Sequence, residues 1–118
     1  MVTDFFRVSQ VPDGVQVLEL SLPGVLDAAD LERLNDALLT AVVTAPHGRW
    51  VLDLGGVDYV GSAVLGMFVN VRQQVKQGGG RMALCGLSPT LQDIFRTCCM
   101  ERLFTIGRSR DDAVRRVS

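Results

Sequence analysis

The chain has 118 residues, of which 47% are hydrophobic and 21% charged, so it can bury a packed core and a disordered chain is excluded. Its 12 basic and 13 acidic residues give a net charge of −1, which offers no electrostatic basis for binding duplex nucleic acid. The length fits one domain, 1–118, and because no apolar run reaches the ~20 residues that span a bilayer, we expect no membrane segment.

The first predicted elements are two β-rich segments, Phe5–Val11 and Val15–Leu20. Pro12 and Gly14 lie between them and favour a tight turn, because proline fixes φ and glycine supplies a positive φ. Two strands joined in this way predict an antiparallel hairpin at the start of the chain.

A helix and a buried strand follow the hairpin. Asp27 is a predicted N-cap, because its carboxylate can accept hydrogen bonds from the first turn of an amphipathic helix over Ala28–Val43. The apolar segment Trp50–Leu54 is typical of a strand that is buried on both faces and therefore lies parallel to its neighbours. We expect Val57–Val60 to continue toward the edge of the sheet.

The second predicted helix spans Ser62–Gln77, with a stripe of valine and phenylalanine on one face, and ends at the glycines 78–80. The remaining predicted elements are a strand over Arg81–Cys85, a helix capped by Ser88 with Pro89 at its first position, a strand over Leu103–Ile106 and a helix over Arg110–Val117 capped by Ser109. Strands that alternate with helices require crossover connections, so we predict a mostly parallel sheet that the opening hairpin makes mixed.

Few side chains could form a catalytic or metal site. The only histidine, His47, lies in a loop beside proline and glycine, and nothing in the sequence places it near Ser62 to form a triad. One histidine with the adjacent Cys98 and Cys99 cannot supply tetrahedral metal ligands, and the sequence contains no glycine-rich phosphate-binding motif. We therefore expect no enzymatic activity, no metal and no cofactor.

The three cysteines lack the spacing of a disulfide framework, which favours reduced thiols and a cytoplasmic location. Cys98 is predicted to lie on the buried face of the helix that follows Ser88, as a small core residue. Four arginines gather near the C-terminus: Arg108, Arg110, Arg115 and Arg116. The acidic residues among them indicate a solvated helix face.

Four sequence blocks stand in a characteristic order along the chain. They are GVLD at 24–27, WVLDLGGVDY at 50–59, GSAVLG at 61–66, and the segment 79–104 with its LCGLSP and ERLF. Together they resemble the STAS domain family, and bacterial anti-sigma-factor antagonists in particular, over nearly the whole chain. The resemblance implies an α/β fold: a mixed β-sheet, mostly parallel with an N-terminal antiparallel hairpin, and about four helices packed mainly on one side.

The resemblance also implies a role in sigma-factor-dependent transcription. Proteins of this type bind an anti-sigma factor, often a serine kinase, and phosphorylation of the second serine in a D-S-S-G motif prevents the binding. Matched residue by residue, Gly61 takes the place of the acidic residue, Ser62 that of the first serine and Ala63 that of the phosphoacceptor. Because alanine has no hydroxyl, the usual switch cannot operate at Ala63.

Two interpretations of the altered motif stay open. A phosphate on Ser62 would contact free N–H groups at the start of the helix, and its charge would change the docking surface. Otherwise the protein is an unswitched binder, and Ser62 is a plain N-cap that contributes ~1 kcal/mol to the stability of the helix.

The candidate partner-binding residues lie around the start of the second helix and in the loop that the resemblance places beside it. They are Gly24, Asp27, Asp58, Gly61, Ser62, Ala63, Met67 and Asn70. Met67 and Asn70 are expected on the outer face of the helix, off its valine and phenylalanine stripe, where an exposed methionine suits an adaptable contact surface.

Two alternatives differ from the antagonist in what they bind. A scaffold protein would assemble with other STAS domains and would tolerate the loss of the phosphoacceptor. A nucleotide- or small-ligand-sensing STAS domain would use a crevice near Asp53, since open α/β sheets place crevices at the carboxyl ends of their strands. We expect Asp53 instead to accept hydrogen bonds from a nearby loop, because a buried carboxylate needs donors.

Overall fold

A five-stranded mixed sheet forms the centre of the computed structural model, which describes residues 5–11, 14–23 and 26–118. Its strands are β1 (Phe6–Gln10), β2 (Gln16–Ser21), β3 (Arg49–Gly56), β4 (Arg81–Cys85) and β5 (Thr105–Ile106). They lie side by side in chain order, with β1 antiparallel to β2 and the strands from β2 to β5 mutually parallel. The predicted fold class is confirmed, although Pro12 of the hairpin turn lies outside the described residues.

Within the described ranges, four α-helices accompany the sheet. They are α1 (Ala28–Val43), α2 (Ser62–Gln77), α3 (Pro89–Thr97) and α4 (Arg110–Val117). The Asp27 carboxylate accepts a 2.7 Å hydrogen bond from the N–H of Asp30, and the Ser88 hydroxyl accepts one of 3.2 Å from Leu91, so both predicted caps are confirmed. None of the helices in this part of the chain has the length and apolar character to cross a membrane.

The two faces of the sheet carry different helices, because side chains alternate along each strand. One face, which includes Leu52 and Leu84, forms a core with residues of α1, α2 and α3. The opposite face, which includes Val51 and Ala83, packs against α4. Three helices thus lie on one side and one on the other, in agreement with helices packed mainly on one side.

Three local predictions are wrong. β3 ends at Gly56, and Val57–Val60 is not a strand even though both valines are buried in the core. The last strand is shorter than predicted, because a 3₁₀-helix over Met100–Arg102 and a turn precede it. Cys98 is exposed, since it is the C-cap of α3 and no longer follows the buried face of the helix.

The Asp53 carboxylate ties the end of β3 to α4. Oδ1 accepts a 2.9 Å hydrogen bond from the N–H of Gly55, which still belongs to β3, and Oδ2 accepts bonds of 3.1 and 2.7 Å from Arg110. The carboxylate has donors, but they are a strand amide and a helix side chain instead of the expected loop. The Arg110 guanidinium also lies 3.5 Å from Glu19 of β2, so the prediction that Arg110 belongs to a solvated face is wrong. Gly86 is required beside this carboxylate, because a Cβ there would lie 2.6 Å from Oδ1 of Asp53.

Asp112 fixes the start of α4. Its Oδ2 accepts a 2.9 Å hydrogen bond from the backbone N–H of Arg108, and the side chains of Arg115 and Arg116 pair with its two oxygens. The hydrogen bond from Arg108, followed by those from Arg116 and Arg115, lowers the pKa of Asp112 to about 2 from an ordinary value of 3.8. The charged carboxylate therefore stabilises the docked helix.

Replacing Asp112 by Asn should remove a pH-dependent part of the stability. Because the folded state lowers the pKa of this carboxyl, its contribution is present above about pH 4 and disappears as the pH falls toward about 2. We expect Asp112→Asn to lower the urea midpoint at pH 7, and we expect the difference from wild type to shrink across that acidic range. Circular dichroism during urea unfolding measures both.

The matched control for this experiment is Asp111→Asn, which removes the exposed acid at the preceding position. It should shift the midpoint far less than Asp112→Asn does. Equal losses in the two variants would contradict the role assigned to Asp112.

Candidate functional site

Among the residues that the structure describes, no side chain caps the N-terminus of α2, which follows the loop that leaves β3. Gly61 is the N-cap, with φ −88° and ψ 179°, and its carbonyl accepts a 3.1 Å hydrogen bond from the N–H of Leu65. Ser62 is therefore the first helical residue, and the interpretation of Ser62 as the N-cap is wrong. The first turn contains no acidic residue, so nothing in the helix itself offsets its free N–H groups and the positive end of its dipole.

Two grooves flank this N-terminus. The Tyr59 groove, of about 230 Å³, lies between the segment that leads into α1 and the loop that leads into α2. The α1–α2 groove, of about 620 Å³, lies between those two helices. Leu31 and Ala63 line both grooves, and the exposed Ala63 therefore marks their junction on α2.

Some of the candidate partner-binding residues line a groove, namely Gly61, Ala63, Met67 and Asn70, whereas Asp27, Asp58 and Ser62 line neither. Asp27 and Asp58 are exposed, the first as the cap of α1 and the second in the loop before α2, and Asn70 is exposed on the wall of the α1–α2 groove. Met67 is only 3% exposed, so the expectation of an outward-facing methionine is wrong: its side chain belongs to the core and contributes a wall of the groove. Gly24 lies outside the described residues.

Several residues of this surface were not predicted from the sequence. Tyr59 is 57% exposed at one groove, and Glu32 and Asn35 of α1 line the other. The signal that could have found the α1 residues is their spacing of four and seven positions from Ala28, which puts them on one helix face. The sequence pattern does not show that this face of α1 meets α2, because that contact depends on how the two helices pack.

His47 and Asp53 belong to other regions of the molecule. The N–H of His47 bonds to the carbonyl of Gly78, just beyond the end of α2, so the 16-residue helix, about 24 Å long, separates His47 from Ser62. Asp53 projects from the α4 face of the sheet, beside an open cavity of about 390 Å³. There, burial and the Asp53 charge raise the pKa of Cys85 to about 11. No cluster of three potential metal ligands occurs in the part of the chain that the structure describes.

Most of the chain matches a known domain family and a known protein sequence. Residues 7–113 match the family model of the STAS domain. Over 92 residues, which are 78% of each chain, the sequence is 37% identical to BtrV of Bordetella bronchiseptica, a protein named as an anti-sigma factor antagonist.

Solved structures share the fold. An anti-sigma-factor antagonist (STAS) domain protein from Planctomyces limnophilus has a TM-score of 0.80 at 22% identity, over 95% of this chain and 97% of that one. The phosphorylated form of SpoIIAA, a cell fate determinant of Bacillus, has a TM-score of 0.66 at 19% identity, over 96% and 99% of the two chains. The chain belongs to the STAS domain family, and its relatives include anti-sigma factor antagonists.

Proposed function

We propose that this protein is an anti-sigma factor antagonist that docks to an anti-sigma factor with serine kinase activity and thereby regulates sigma-factor-dependent transcription. The observation that carries the proposal is Ala63, which is exposed at the second position of α2 and lines both grooves. The 37% identity with BtrV supports the same role. In this role the protein works in the cytoplasm as one STAS domain, 1–118, and performs no chemistry itself.

The position of Ala63 suits a phosphate switch in physical terms. A phosphate there would add roughly −1.5 to −2 charges where the two grooves join, and it would accept hydrogen bonds from the free N–H groups of the first turn. SpoIIAA, which shares the fold, has a phosphorylated form. Since Ala63 cannot accept a phosphate, the docking surface of this protein stays open to its partner.

Ser62 is the second residue that bears on switching. It is exposed and begins α2, but it lines neither of the two grooves. A phosphate on Ser62 would meet the helix N–H groups without filling the junction that Ala63 occupies. Constitutive docking is therefore the form of the function that the geometry supports best, and phosphorylation of Ser62 is the alternative to be tested.

Replacing Ala63 by Ser should create the missing phosphorylation site. After incubation with a serine-kinase anti-sigma factor and ATP, mass spectrometry should find no phosphate on the wild type and one phosphate at position 63 of the variant. The matched control combines Ser62→Ala with Ala63→Ser and should be phosphorylated to the same extent. Phosphate on Ser62 of the wild type would contradict constitutive docking and move the switch one residue earlier.

Replacing Ala63 by Arg should block docking, because a long side chain would fill the junction of the grooves. We expect at least a tenfold loss of affinity for the anti-sigma factor by calorimetry, or about 1.4 kcal/mol. The matched control is Ala29→Arg, at an exposed alanine of α1 that lines neither groove, and it should bind like the wild type. If the wild type forms no complex with or without nucleotide, the proposed function is wrong.

A further inference from the structure

The lining of the α1–α2 groove combines an apolar surface with a few polar groups. Its apolar and small residues are Ala28, Leu31, Ala63, Gly66, Met67 and Val69. Its polar residues are Glu32, Asn35 and Asn70. The described lining therefore contains two amides and one carboxylate, and it contains no basic residue.

The spacing of the lining residues matches that of a surface on which another helix packs. They recur every three or four positions over 28–35 of α1 and 63–70 of α2, about two turns or 10 Å on each helix. A Cβ added to Gly66 would meet nothing within 4 Å, so the groove is open above the backbone at that point. An amphipathic helix can lay its apolar stripe into a groove of this kind.

Asn35 contains a buried acceptor without a donor. Its Oδ1 atom is buried and has no hydrogen-bond partner within the described chain, although the side chain as a whole is half-buried and lines the groove. A buried carbonyl oxygen without a donor destabilises the free protein. A hydrogen-bond donor of a bound helix that reached this oxygen from the groove would satisfy it.

The α1 side of the groove carries one carboxylate, that of Glu32. Glu32 is exposed and has no ion-pair partner among the described residues, and the exposed Asp36 lies off the lining. Arg33, by contrast, already pairs with Asp30. A basic side chain from a partner would therefore find an unpaired carboxylate at the groove, and an acidic one would meet repulsion.

We propose that the α1–α2 groove receives an amphipathic helix of the anti-sigma factor whose apolar stripe is flanked by a Lys or Arg that pairs with Glu32 and by a hydrogen-bond donor that reaches Asn35. The identity of the partner rests on the proposed function, whereas the chemistry of the contact rests on the groove. The apolar walls supply contact area, and Glu32 and Asn35 select the partner.

Two synthetic helical peptides of about 15 residues test this chemistry without the anti-sigma factor. Both carry the same leucine stripe, flanked by Lys in one and by Glu in the other. In NMR titrations of the labelled protein, the Lys peptide should shift the resonances of the groove residues and bind at least tenfold more tightly than the Glu peptide. The Glu32→Lys variant should reverse this preference, and the matched control Asp36→Lys, which lies off the lining, should keep it.

The Asn35→Leu variant separates recognition from folding. Removal of the unpaired oxygen should raise the urea midpoint of the free protein and should weaken its binding to the anti-sigma factor at least fivefold. If this variant bound the anti-sigma factor as tightly as the wild type does, Asn35 would have no role in recognition.

Equal binding of the two peptides, failure of both to bind, or shifts confined to residues outside the groove would overturn the inference. An anti-sigma factor complex that is insensitive to Glu32→Lys and Asn35→Leu would also overturn it, and would leave the proposed function standing. Groove binding by the Lys peptide without any anti-sigma factor complex would refute the proposed function and support the groove chemistry. A concentration-dependent dimer that disappears in Glu32→Lys would assign the groove to a second copy of the chain and overturn the inference.

Discussion

The Asp53 carboxylate joins parts of the chain that lie far apart in the sequence. A carboxylate within the sheet needs donors, and it finds one at the end of β3 itself and another in α4, more than fifty residues away. Through Arg110 the same interaction reaches Glu19 of β2. The carboxylate therefore links β2, β3 and α4 on the face of the sheet opposite to α2.

The proposed docking surface follows from the order of the strands. α1 connects β2 to β3 and α2 connects β3 to β4, and all three strands are parallel neighbours. Both helices therefore begin at the carboxyl ends of their preceding strands and pack side by side on one face of the sheet. The α1–α2 groove lies between them. α1, α3 and α4 are capped by their own side chains, whereas α2 begins at a glycine. Its N-terminus is the one among these four without a side-chain cap.

Features that depend on nearby residues could be predicted, and features that depend on distant ones could not. The caps Asp27, Ser88 and Ser109 set helix starts from within three residues, so the sequence was sufficient. Arg110 finds Asp53 only after the sheet and α4 have come together. Met67 lies off the stripe that faces the sheet, but α1 packs against that flank of α2 and buries it. The contribution of Met67 to the groove therefore could not be predicted without knowing that α1 packs beside α2.

Cys85 lies beneath α4, and its raised pKa keeps sulfur in the poorly nucleophilic thiol form at neutral pH. Cys98 and Cys99 are exposed at the end of α3, which contributes no residue to either groove. The exposed thiols that peroxides and alkylating agents would reach therefore lie away from the proposed docking surface. Oxidation of Cys98 or Cys99 would therefore leave the residues that line the two grooves chemically unchanged.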